Sequence, residues 1–296
     1  MPLSLILQYL FSGITAGAIY AVIAIGFNIV YNTTGIINFA QGEFVMLGGM
    51  IAISLGGFMP LPVAVAGAVA ITALVGGLLE FVFIRRMKNP TVIQMIIVTI
   101  GLSILIREAA LHVWDEKVHS LPYFTGNEIS SLRIFGACLS PQVLWVLGTC
   151  AAVVAGLSLF FTHTAAGRAM RACSADRIGA MLCGINARTM VTLSFMISAA
   201  IGALAGCVIS PITSTTYDCG TSLAVKGFTV AIIGGLGNSA GAVVAGLLLG
   251  IVEAFCISFM PMSYRDVVVI AILLAALSLK PSGLFGSSAS HALKEF

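Results

Sequence analysis

Long uncharged apolar stretches recur along the chain and constrain its fold more than any other feature. Only Glu43 and Glu80 carry charge before Arg85. A helix needs about 20 consecutive apolar residues to cross a bilayer, and stretches of this length occur from one end of the sequence to the other. Charged residues make up 8% of the chain, against about 25% in an average soluble domain. The sequence therefore predicts an all-α, polytopic transmembrane helical bundle, and the unbroken apolar runs argue against a β-barrel, whose strands alternate.

The apolar stretches divide into nine candidate spans that together form one transmembrane domain over residues 1–296. The seventh span is short, and if it is a broken or half-helix the chain makes eight to nine crossings. A polar loop at 164–188 separates the fifth span from the sixth. The predicted spans are 5–30, 36–57, 62–84, 91–113, 141–161, 190–210, 222–236, 240–259 and 266–280.

Basic residues in short loops indicate the orientation, because such loops stay on the cytoplasmic side. They mark 85–88 as one cytoplasmic loop, 164–188 as a second, and Lys280 as the start of a cytoplasmic C-terminus. Residues 114–140 then lie outside, and the N-terminus is external. Because Arg85 is the first basic residue, the N-terminus lacks the charged segment of a cleavable signal peptide, and the first span is expected to remain.

Two segments interrupt the apolar pattern. Residues 32–43, NTTGIINFAQGE, insert amides and a carboxylate between two apolar runs, and residues 234–241, GGLGNSAG, are rich in glycine. Irregular backbone at membrane depth is tolerated only inside protein or beside a water-filled cavity. Paired breaks in the two halves of a transporter point to its translocation pathway, often within an inverted repeat. The sequence therefore predicts pathway residues in both segments, and it suggests an inverted repeat although no repeat is visible in the residues.

Each break also has a structural explanation that the sequence leaves open. Glu43 stands at the start of an apolar helix, where the helix N-terminus stabilises a carboxylate by about 0.3–1 kcal/mol. Asn38 is of a residue type that caps helix N-termini. Asp266, which precedes the last apolar run, fits a capping or interfacial role. The glycines of 234–241 permit close helix packing, as do the pairs of glycines spaced four residues apart elsewhere in the chain.

The patterns that support catalysis are not found in the sequence. An ATP-binding P-loop needs GxxxxGK[ST], and none of the five lysines follows a glycine. The seven cysteines form no CxxC pair and the four histidines are scattered, so no metal site or cofactor is expected. A proton relay needs several acids or histidines within the spans, and most of the candidates lie near predicted span ends: Glu43, Glu80, Glu108, Glu253 and Asp266. The chain is predicted to be a non-catalytic transport protein with no nucleic-acid partner.

The positive charge of the chain is concentrated in residues 164–188. This segment has a net charge of +3, equal to that of the whole chain, from four arginines and one acid: Arg168, Arg171, Arg177, Arg188 and Asp176. Residues 167–184 contain no proline and place alanines beside arginines, which predicts a short cytoplasmic helix that docks in a groove of a partner protein. A positively charged loop held by anionic lipid headgroups is the alternative explanation.

Four ordered motifs resemble those of the branched-chain amino acid permease family of ABC importers, over about residues 5–286. The motifs are GIINFAQGE at 35–43, the GRAMRAC run closed by GIN at 167–186, GGLGNSAGA at 234–242, and YRDVV with PSGLFG within 264–269 and 281–286. The resemblance implies a multi-pass subunit of the bacterial inner membrane that pairs with a second permease subunit, as a hetero- or homodimer. It further implies two cytoplasmic ATPase subunits and an external solute-binding protein.

The resemblance also implies roles for the residues that match its motifs. In the segment 164–188, the residues of the coupling loop that would seat in an ATPase are Gly167, Arg168, Arg171, Ala172, Asp176 and Gly184. In the two breaks, the residues of the translocation pathway would be Asn38, Gln41, Gly42, Glu43, Gly234, Gly235, Gly237 and Asn238. The chain departs from the family at Gln41, where His is frequent. Gln keeps the hydrogen bonding but does not titrate, so selectivity is expected to differ if this position reads the solute.

The residues and the resemblance together predict the permease subunit of an ABC importer for branched-chain or similar apolar amino acids. A pathway of small and apolar residues with a few amides and no fixed ion pairs would suit a zwitterionic, apolar solute. Three alternatives remain open at this point: an ABC permease for urea or short amides, an ion-coupled secondary amino acid transporter, and a passive channel or membrane scaffold.

Overall fold

The protein is a bundle of helices, which a computed structural model describes for residues 3–87, 91–126, 132–134, 137–259, 264–280 and 283–285. Within these ranges the elements are α1 (Leu3–Thr34), α2 (Gln41–Gly56), α3 (Leu61–Leu79) with a π-helical continuation (Glu80–Ile84), α4 (Val92–Trp114), β1 (Leu132–Ile134), β2 (Ala137–Leu139), α5 (Gln142–His163), α6 (Ala165–Ala175), α7 (Arg177–Leu182), α8 (Ala187–Thr213), α9 (Cys219–Gly234), α10 (Ser239–Phe259) and α11 (Arg265–Leu279). The two short strands pair antiparallel.

Nine of these helices correspond to the nine predicted spans. Six are long and apolar enough to cross a bilayer: α1, α3 with its π-helical continuation, α4, α5, α8 and α10. Helices α2, α9 and α11 have only 16, 16 and 15 residues. At 1.5 Å per residue this is about 23–24 Å, which is less than the ~30 Å hydrocarbon core of a bilayer. The all-α polytopic bundle is confirmed, and the short span expected at 222–236 corresponds to α9.

The largest boundary error concerns the predicted span 36–57. Gly35 has φ of +74°, a left-handed conformation that suits glycine, and the chain leaves α1 there. Helix α2 begins only at Gln41. The apolar residues Ile36 and Ile37 therefore lie in an irregular return segment, which hydropathy alone does not distinguish from a helix.

Helices α2 and α9 both begin inside the bundle. The first turn of α2 contacts Gly26, Ser103 and Ser198, each of which lies well within a long helix. The start of α9 lies against this turn, since Gly42 packs directly on Gly220. In both cases a long helix precedes a 16-residue one. Helix α8 runs antiparallel to α1, because Ser198 bonds to Gly26 while Ile209, later in α8, lines the same cavity as Ile19, earlier in α1. This arrangement supports the suggested inverted repeat.

Helix α1 lies at the centre of the bundle and packs on α10 through glycines. Residues 18–25 of α1 are almost fully buried. Gly13 and Gly17 of α1 face Gly246 and Gly250 of α10, and a Cβ at any of these four positions would meet the opposite helix. Such close backbone approach strengthens dispersion contacts, which hold membrane helices together where the hydrophobic effect does not. The role in close packing predicted for these glycine pairs is confirmed.

Gly250→Leu is expected to force α10 away from α1 and to lower the thermal unfolding midpoint of the purified protein. Overpacking costs about 1–3 kcal/mol in a well-packed core, and the atoms met here belong to the backbone of α1, which cannot rotate aside. Gly156→Leu on α5 is the matched control, because a Cβ there meets nothing within 4 Å. Equal midpoints for the two variants in the same detergent would contradict the importance of the α1–α10 contact.

Candidate coupling loop and translocation site

The candidate coupling loop, residues 164–188, contains two helices rather than the single short helix expected. Thr164 caps α6, since its Oγ1 accepts a hydrogen bond from the Gly167 amide at 2.9 Å. Asp176 has an extended backbone, and its Oδ1 accepts a hydrogen bond from the Ile178 amide at 2.9 Å. The expectation of one continuous helix is wrong because the Asp176 side chain replaces a main-chain acceptor and starts α7.

Helix α6 turns its arginines outward and its small residues inward. Arg168 and Arg171 are exposed, whereas Ala172 is half-buried. Gly167 is buried, and a Cβ there would meet the main chain at Phe160 of α5. The two predicted docking arginines thus lie on the free face of α6, while the glycine fixes this helix against the end of α5.

A small core and one glycine shape the rest of the loop. Cys173, Ala180 and Ala187 pack together and join α6, α7 and α8. Burial raises the pKa of the Cys173 thiol, which therefore stays neutral and serves as an apolar packing group. Gly184 has φ of +81° where the chain leaves α7, a conformation that would strain a residue with a side chain.

Helix α7 carries an exposed apolar tip, formed by Ile178, Met181 and Leu182. These side chains are 69%, 50% and 85% exposed. Their positions i, i+3 and i+4 place them on one face of the helix, and this spacing is the sequence signal that could have revealed the tip beside the more conspicuous arginines. An exposed apolar cluster on a polar loop indicates a surface for contact with another protein or a membrane.

Gln41 joins three helices near the middle of the bundle. Its Nε2 donates to the Ser198 carbonyl at 3.1 Å, and the Ser198 hydroxyl lies 2.5 Å from Gln41 Oε1 and 2.8 Å from the Gly26 carbonyl. Asn38 lies just before α2, and its Oδ1 accepts from the Ala40 amide at 3.1 Å. The amide side chains predicted for the pathway therefore hold α2 against α1 and α8 and close the turn that leads into α2.

Glu43 joins α2 to α4 and α9. Its side chain is almost fully buried, and Oε1 accepts hydrogen bonds from the Ser103 and Thr221 hydroxyls at 2.9 and 3.3 Å. Beside it, Gly42 lies against Gly220, and a Cβ at Gly220 would meet Glu43 Oε2. Among the described residues, Oε2 has no hydrogen-bond partner. The first turns of the two short helices and one carboxylate thus meet at a single point, called here the central junction.

The segment 234–241 forms the turn between α9 and α10, at the end of the bundle where α1 finishes. Asn28 Oδ1 accepts from the Gly237 amide at 3.0 Å, and Asn28 Nδ2 donates to the Asn238 carbonyl at 3.2 Å. Asn32 Nδ2 donates to the Gly237 carbonyl at 3.0 Å. Two asparagines four residues apart share one helix face, and this spacing within the apolar α1 was the sequence signal for the contact.

The remaining glycines of this turn are packed against backbone. A Cβ at Gly234 would meet the first turn of α10, and a Cβ at Gly283 would meet Gly235. Asn238 Nδ2 donates to the Phe285 carbonyl at 3.2 Å, which ties the C-terminal segment to the same turn. The segment that precedes α9 inside the bundle is therefore 214–218, whereas the predicted second break lies at the other end of that helix.

A cavity of about 580 Å³ opens at the end of the bundle opposite to Arg168 and Arg171 of α6. It lies between α1, α5, α8 and the start of α9, and none of the eight predicted pathway residues lines it. Cys219 does line it and is the neighbour of Gly220, so the central junction lies directly behind the cavity. The wall combines hydroxyl groups with aliphatic side chains and one lysine, including Ser12, Thr15, Ile19, Tyr20, Ile209, Thr216, Ser222, Leu223 and Lys226.

Lys226 forms a buried ion pair at the wall of this cavity. Its Nζ lies 2.9 Å from Glu253 Oε1, 3.1 Å from Asp266 Oδ1 and 5.7 Å from the centre of the Tyr20 ring. The Lys226 and Glu253 side chains are only 9% and 2% exposed, whereas that of Asp266 is 68% exposed. The cavity wall thus carries a fixed ion pair, and the expectation of a pathway without such pairs stays a prediction. Asp266 bonds this lysine, and no side-chain cap is found at the start of α11.

Other titratable groups form no metal site in the described parts of the chain. No three His, Cys, Asp or Glu residues come together there to hold a metal ion. Arg107 and Glu108 lie within α4, and their side chains are 3.9 Å apart and partly exposed. A surface pair of this kind contributes about 0–1 kcal/mol.

Comparison with known proteins decides the family of the chain. The family model described as branched-chain amino acid transport system / permease component matches residues 9–277. The chain belongs to this family. It is therefore a permease subunit of an ABC importer and a multi-pass protein of the inner membrane, and such permeases work with ATPase and solute-binding subunits.

Individual members of the permease family match over most of their length. The high-affinity branched-chain amino acid transport system permease protein BraD of Pseudomonas aeruginosa is 34% identical over 95% of both chains. The protein of the same description named LivH, from Escherichia coli, is 32% identical over 95% of both chains. The ribose import permease protein RbsC of Escherichia coli is 24% identical over 90% of this chain and 84% of its own. The solved structure titled "PsaBC from Streptococcus pneumoniae in complex with Fab" matches with a TM-score of 0.48 and 10% identity over 94% of this chain and 91% of that chain, which is too distant for a structural argument.

Two substitutions of Glu43 distinguish a structural role in the central junction of the permease from direct contact with the solute. Glu43→Leu leaves the half-buried Ser103 hydroxyl and the exposed Thr221 hydroxyl without their acceptor, and a buried group that loses its partner costs about 1–3 kcal/mol. We expect a lower unfolding midpoint for Glu43→Leu, and a nearly normal one for Glu43→Gln, which keeps an acceptor oxygen. In reconstituted uptake, Glu43→Gln is expected to leave the KM for solute unchanged; a raised KM would show that Glu43 contacts the solute.

Lys226 provides a second test of the site. Removing one partner of a buried ion pair costs about 3–5 kcal/mol, whereas replacing both partners by apolar residues is often neutral. We therefore expect Lys226→Met to lower the unfolding midpoint sharply, and the double variant Lys226→Met with Glu253→Leu to recover most of the loss. Asp266→Asn is the control, because its exposed carboxylate should contribute little. A double variant as unstable as Lys226→Met would rule out the pair as the cause.

Proposed function

We propose that this permease imports branched-chain or similar apolar amino acids. The observation that carries the proposal is the match over 95% of both chains to two permeases named for high-affinity branched-chain amino acid transport, at 34% and 32% identity. The weaker match, at 24% identity, is to a permease named for ribose, so the choice of solute rests on the degree of similarity and on the cavity.

The cavity at the outer end supports a solute of this size and polarity. Its volume of about 580 Å³ lies in the range of about 300–1,000 Å³ found for small-molecule sites. Aliphatic side chains such as Ile19, Ile209 and Leu223 suit a branched side chain. Hydroxyls such as those of Thr15 and Ser222 suit the ammonium and carboxylate groups, since a hydroxyl both donates and accepts.

The proposed transporter contains this chain as one transmembrane domain over residues 1–296. Its partners are a second permease subunit or a second copy of this chain, two cytoplasmic ATPase subunits and an external solute-binding protein. The chain itself is not an enzyme, because its sequence lacks the glycine-rich loop and lysine that hold nucleotide phosphates. ATP hydrolysis therefore takes place on the partner subunits.

Residues 164–188 are the proposed docking surface for the ATPase subunits. Arg168 and Arg171 lie on the free face of α6, where a guanidinium group can form paired hydrogen bonds with a carboxylate of the partner. The apolar tip of α7 enters a groove beside them. Asp176 and Gly184 fix the two ends of α7 and so its direction.

Movement of the ATPases reaches the bundle through the two ends of this loop. Thr164 and Gly167 fix α6 to α5, and the Asn186 side chain caps α8, accepting from the Arg188 and Thr189 amides at 3.1 and 3.3 Å. A displacement of α6 and α7 is therefore passed to α5 and α8, both of which line the outer cavity. This coupling rocks the bundle between outward- and inward-open states.

Reversing the charge of the two docking arginines should uncouple transport from ATP hydrolysis. In the variant with Arg168→Glu and Arg171→Glu, we expect ATPase subunits to be lost from a mild-detergent pull-down through a tag after Phe296, and ATP-driven uptake to fall more than tenfold. The protein should still insert in the membrane, because no span is changed. Arg86 is an exposed arginine outside the loop, and the control variant Arg86→Glu should keep both the ATPase subunits and ATP-driven uptake.

The apolar tip is tested separately by Leu182→Glu, which leaves all arginines in place. Its effect on the pull-down should match that of the double arginine variant, because a carboxylate would replace a side chain that is 85% exposed and proposed to be buried on docking. Normal uptake in both variants would show that residues 164–188 are not the ATPase dock.

The solute is tested with proteoliposomes that contain the full transporter and its cognate binding protein. Labelled leucine, isoleucine and valine are compared with labelled urea and acetamide, with and without ATP. We expect saturable uptake of the three amino acids that requires ATP. Uptake of urea or acetamide alone would establish the amide permease instead. Amino acid uptake that survives without ATP but collapses with an ion gradient would establish a secondary transporter, and uptake that needs neither would establish a channel.

A further inference from the structure

A second large cavity, of about 800 Å³, opens at the cytoplasmic end of the bundle and is called here the cytoplasmic groove. One wall comes from the end of the π-helical continuation of α3 and the start of α4, and the other from α7 and the start of α8. The groove therefore separates the coupling loop from the peripheral part of the bundle. The groove shares no lining residue with the proposed solute site, and neither of the two docking arginines of α6 lines it.

The groove carries three arginines and one acid. Arg85 lies on one wall, and Arg177 and Arg188 lie on the other. Within the described residues none of the three forms an ion pair. The acid, Glu80, is only 2% exposed, and its Oε2 accepts a hydrogen bond from the Thr192 hydroxyl at 2.5 Å. Among the described residues, the groove thus offers three guanidinium groups without ion pairs, that of Arg85 lying 5.3 Å from the centre of the Phe81 ring, and the single carboxylate of Glu80 only partly offsets their charge.

The same groove has apolar side chains on its α4 wall. Met87, Val92 and Met95 line it, and Val92 is 58% exposed. Helix α4 lies at the edge of the bundle, where most of its side chains face outward. An anion that approaches from this side therefore meets the arginines at the depth of the membrane surface, with apolar side chains directly beside them.

From this combination we infer that the cytoplasmic groove binds an anionic phospholipid. The arginines bind the phosphate, because guanidinium groups match phosphate oxygens in paired hydrogen bonds. The apolar α4 wall receives the first carbons of an acyl chain, a contact that free phosphate would not need. Basic pockets on the cytoplasmic side of membrane helices are suited to such headgroups, since the anionic lipids of that leaflet are nearby. The bound lipid links Arg85 on the bundle to Arg177 and Arg188 beside the coupling loop.

Native mass spectrometry of the full transporter tests this inference with phosphatidylglycerol and phosphatidylcholine as probes. Phosphatidylglycerol is expected to bind and phosphatidylcholine is not. The variant with Arg85→Gln and Arg188→Gln should bind phosphatidylglycerol at least tenfold more weakly. The variant with Arg86→Gln and Lys117→Gln removes the same charge from exposed positions outside the groove and outside residues 164–188, and it should bind this lipid like the wild type. Equal losses in the two variants would mean that only total charge matters, and would overturn the inference.

Two further measurements separate the other possible occupants. Inorganic phosphate that competes with phosphatidylglycerol at equal concentration would make the groove a simple anion site and overturn the lipid assignment. If the groove variant loses ATPase subunits but still binds the lipid normally, the groove is a contact between subunits, and the lipid assignment is overturned. If the groove variant does not fold, a photoactivatable phosphatidylglycerol is crosslinked to the wild type instead. We expect crosslinks within 85–95 and 177–191. Crosslinks confined to other segments would refute the site.

Discussion

Helix α2 begins inside the bundle, and the need to satisfy its polar first turn without bulk water governs the surrounding structure. An unsatisfied backbone group in an apolar environment costs several kcal/mol, so irregular backbone at this depth needs local partners. At α2 the amides are met by the preceding turn, through Asn38 and Ala40. The Gln41 and Glu43 side chains are met by hydroxyls from three other helices, with Thr221 of α9 among them. The return segment and the central junction are therefore one structural unit.

Close backbone packing brings these polar groups within reach of one another. Gly42 on Gly220, and the glycines between α1 and α10, allow helix axes to approach until short side chains meet across them. Helix α9 then contacts the outer cavity, the central junction and the turn at 234–241. Its start lines the outer cavity, Thr221 bonds to the central junction, and its last turn leads into the loop that Asn28 holds. This short helix therefore connects the cavity to the turn at 234–241, whereas α5 and α8 connect the cavity to residues 164–188.

Features that depend on local composition were predictable from the sequence. The nine helices, the glycine contact between α1 and α10, and the polar loop at 164–188 follow from hydropathy, four-residue spacing and charge. The start of α2 was not predictable, because Ile36 and Ile37 are as apolar as the residues of a membrane helix. Only the fold places them in a return segment. The break at Asp176 was missed because a side-chain cap competes with a continuous helix on nearly equal terms. The outer cavity was missed because its lining residues are scattered from Gln8 to Lys226.

The sequence by itself determined that the protein spans a membrane, which loops carry its charge, and which permease family it resembles, since these properties depend on residues close together in the chain. Only the tertiary structure decided which polar groups meet. Lys226 and Glu253 are 27 residues apart in the sequence. Asn28 accepts a hydrogen bond from the Gly237 amide, which is 209 residues further along the chain. Such pairs depend on how distant helices approach each other, and in a mostly apolar chain many packings satisfy the same hydropathy pattern. The positions of the few buried polar partners distinguish the native packing from the others, because leaving any of them unpaired is costly.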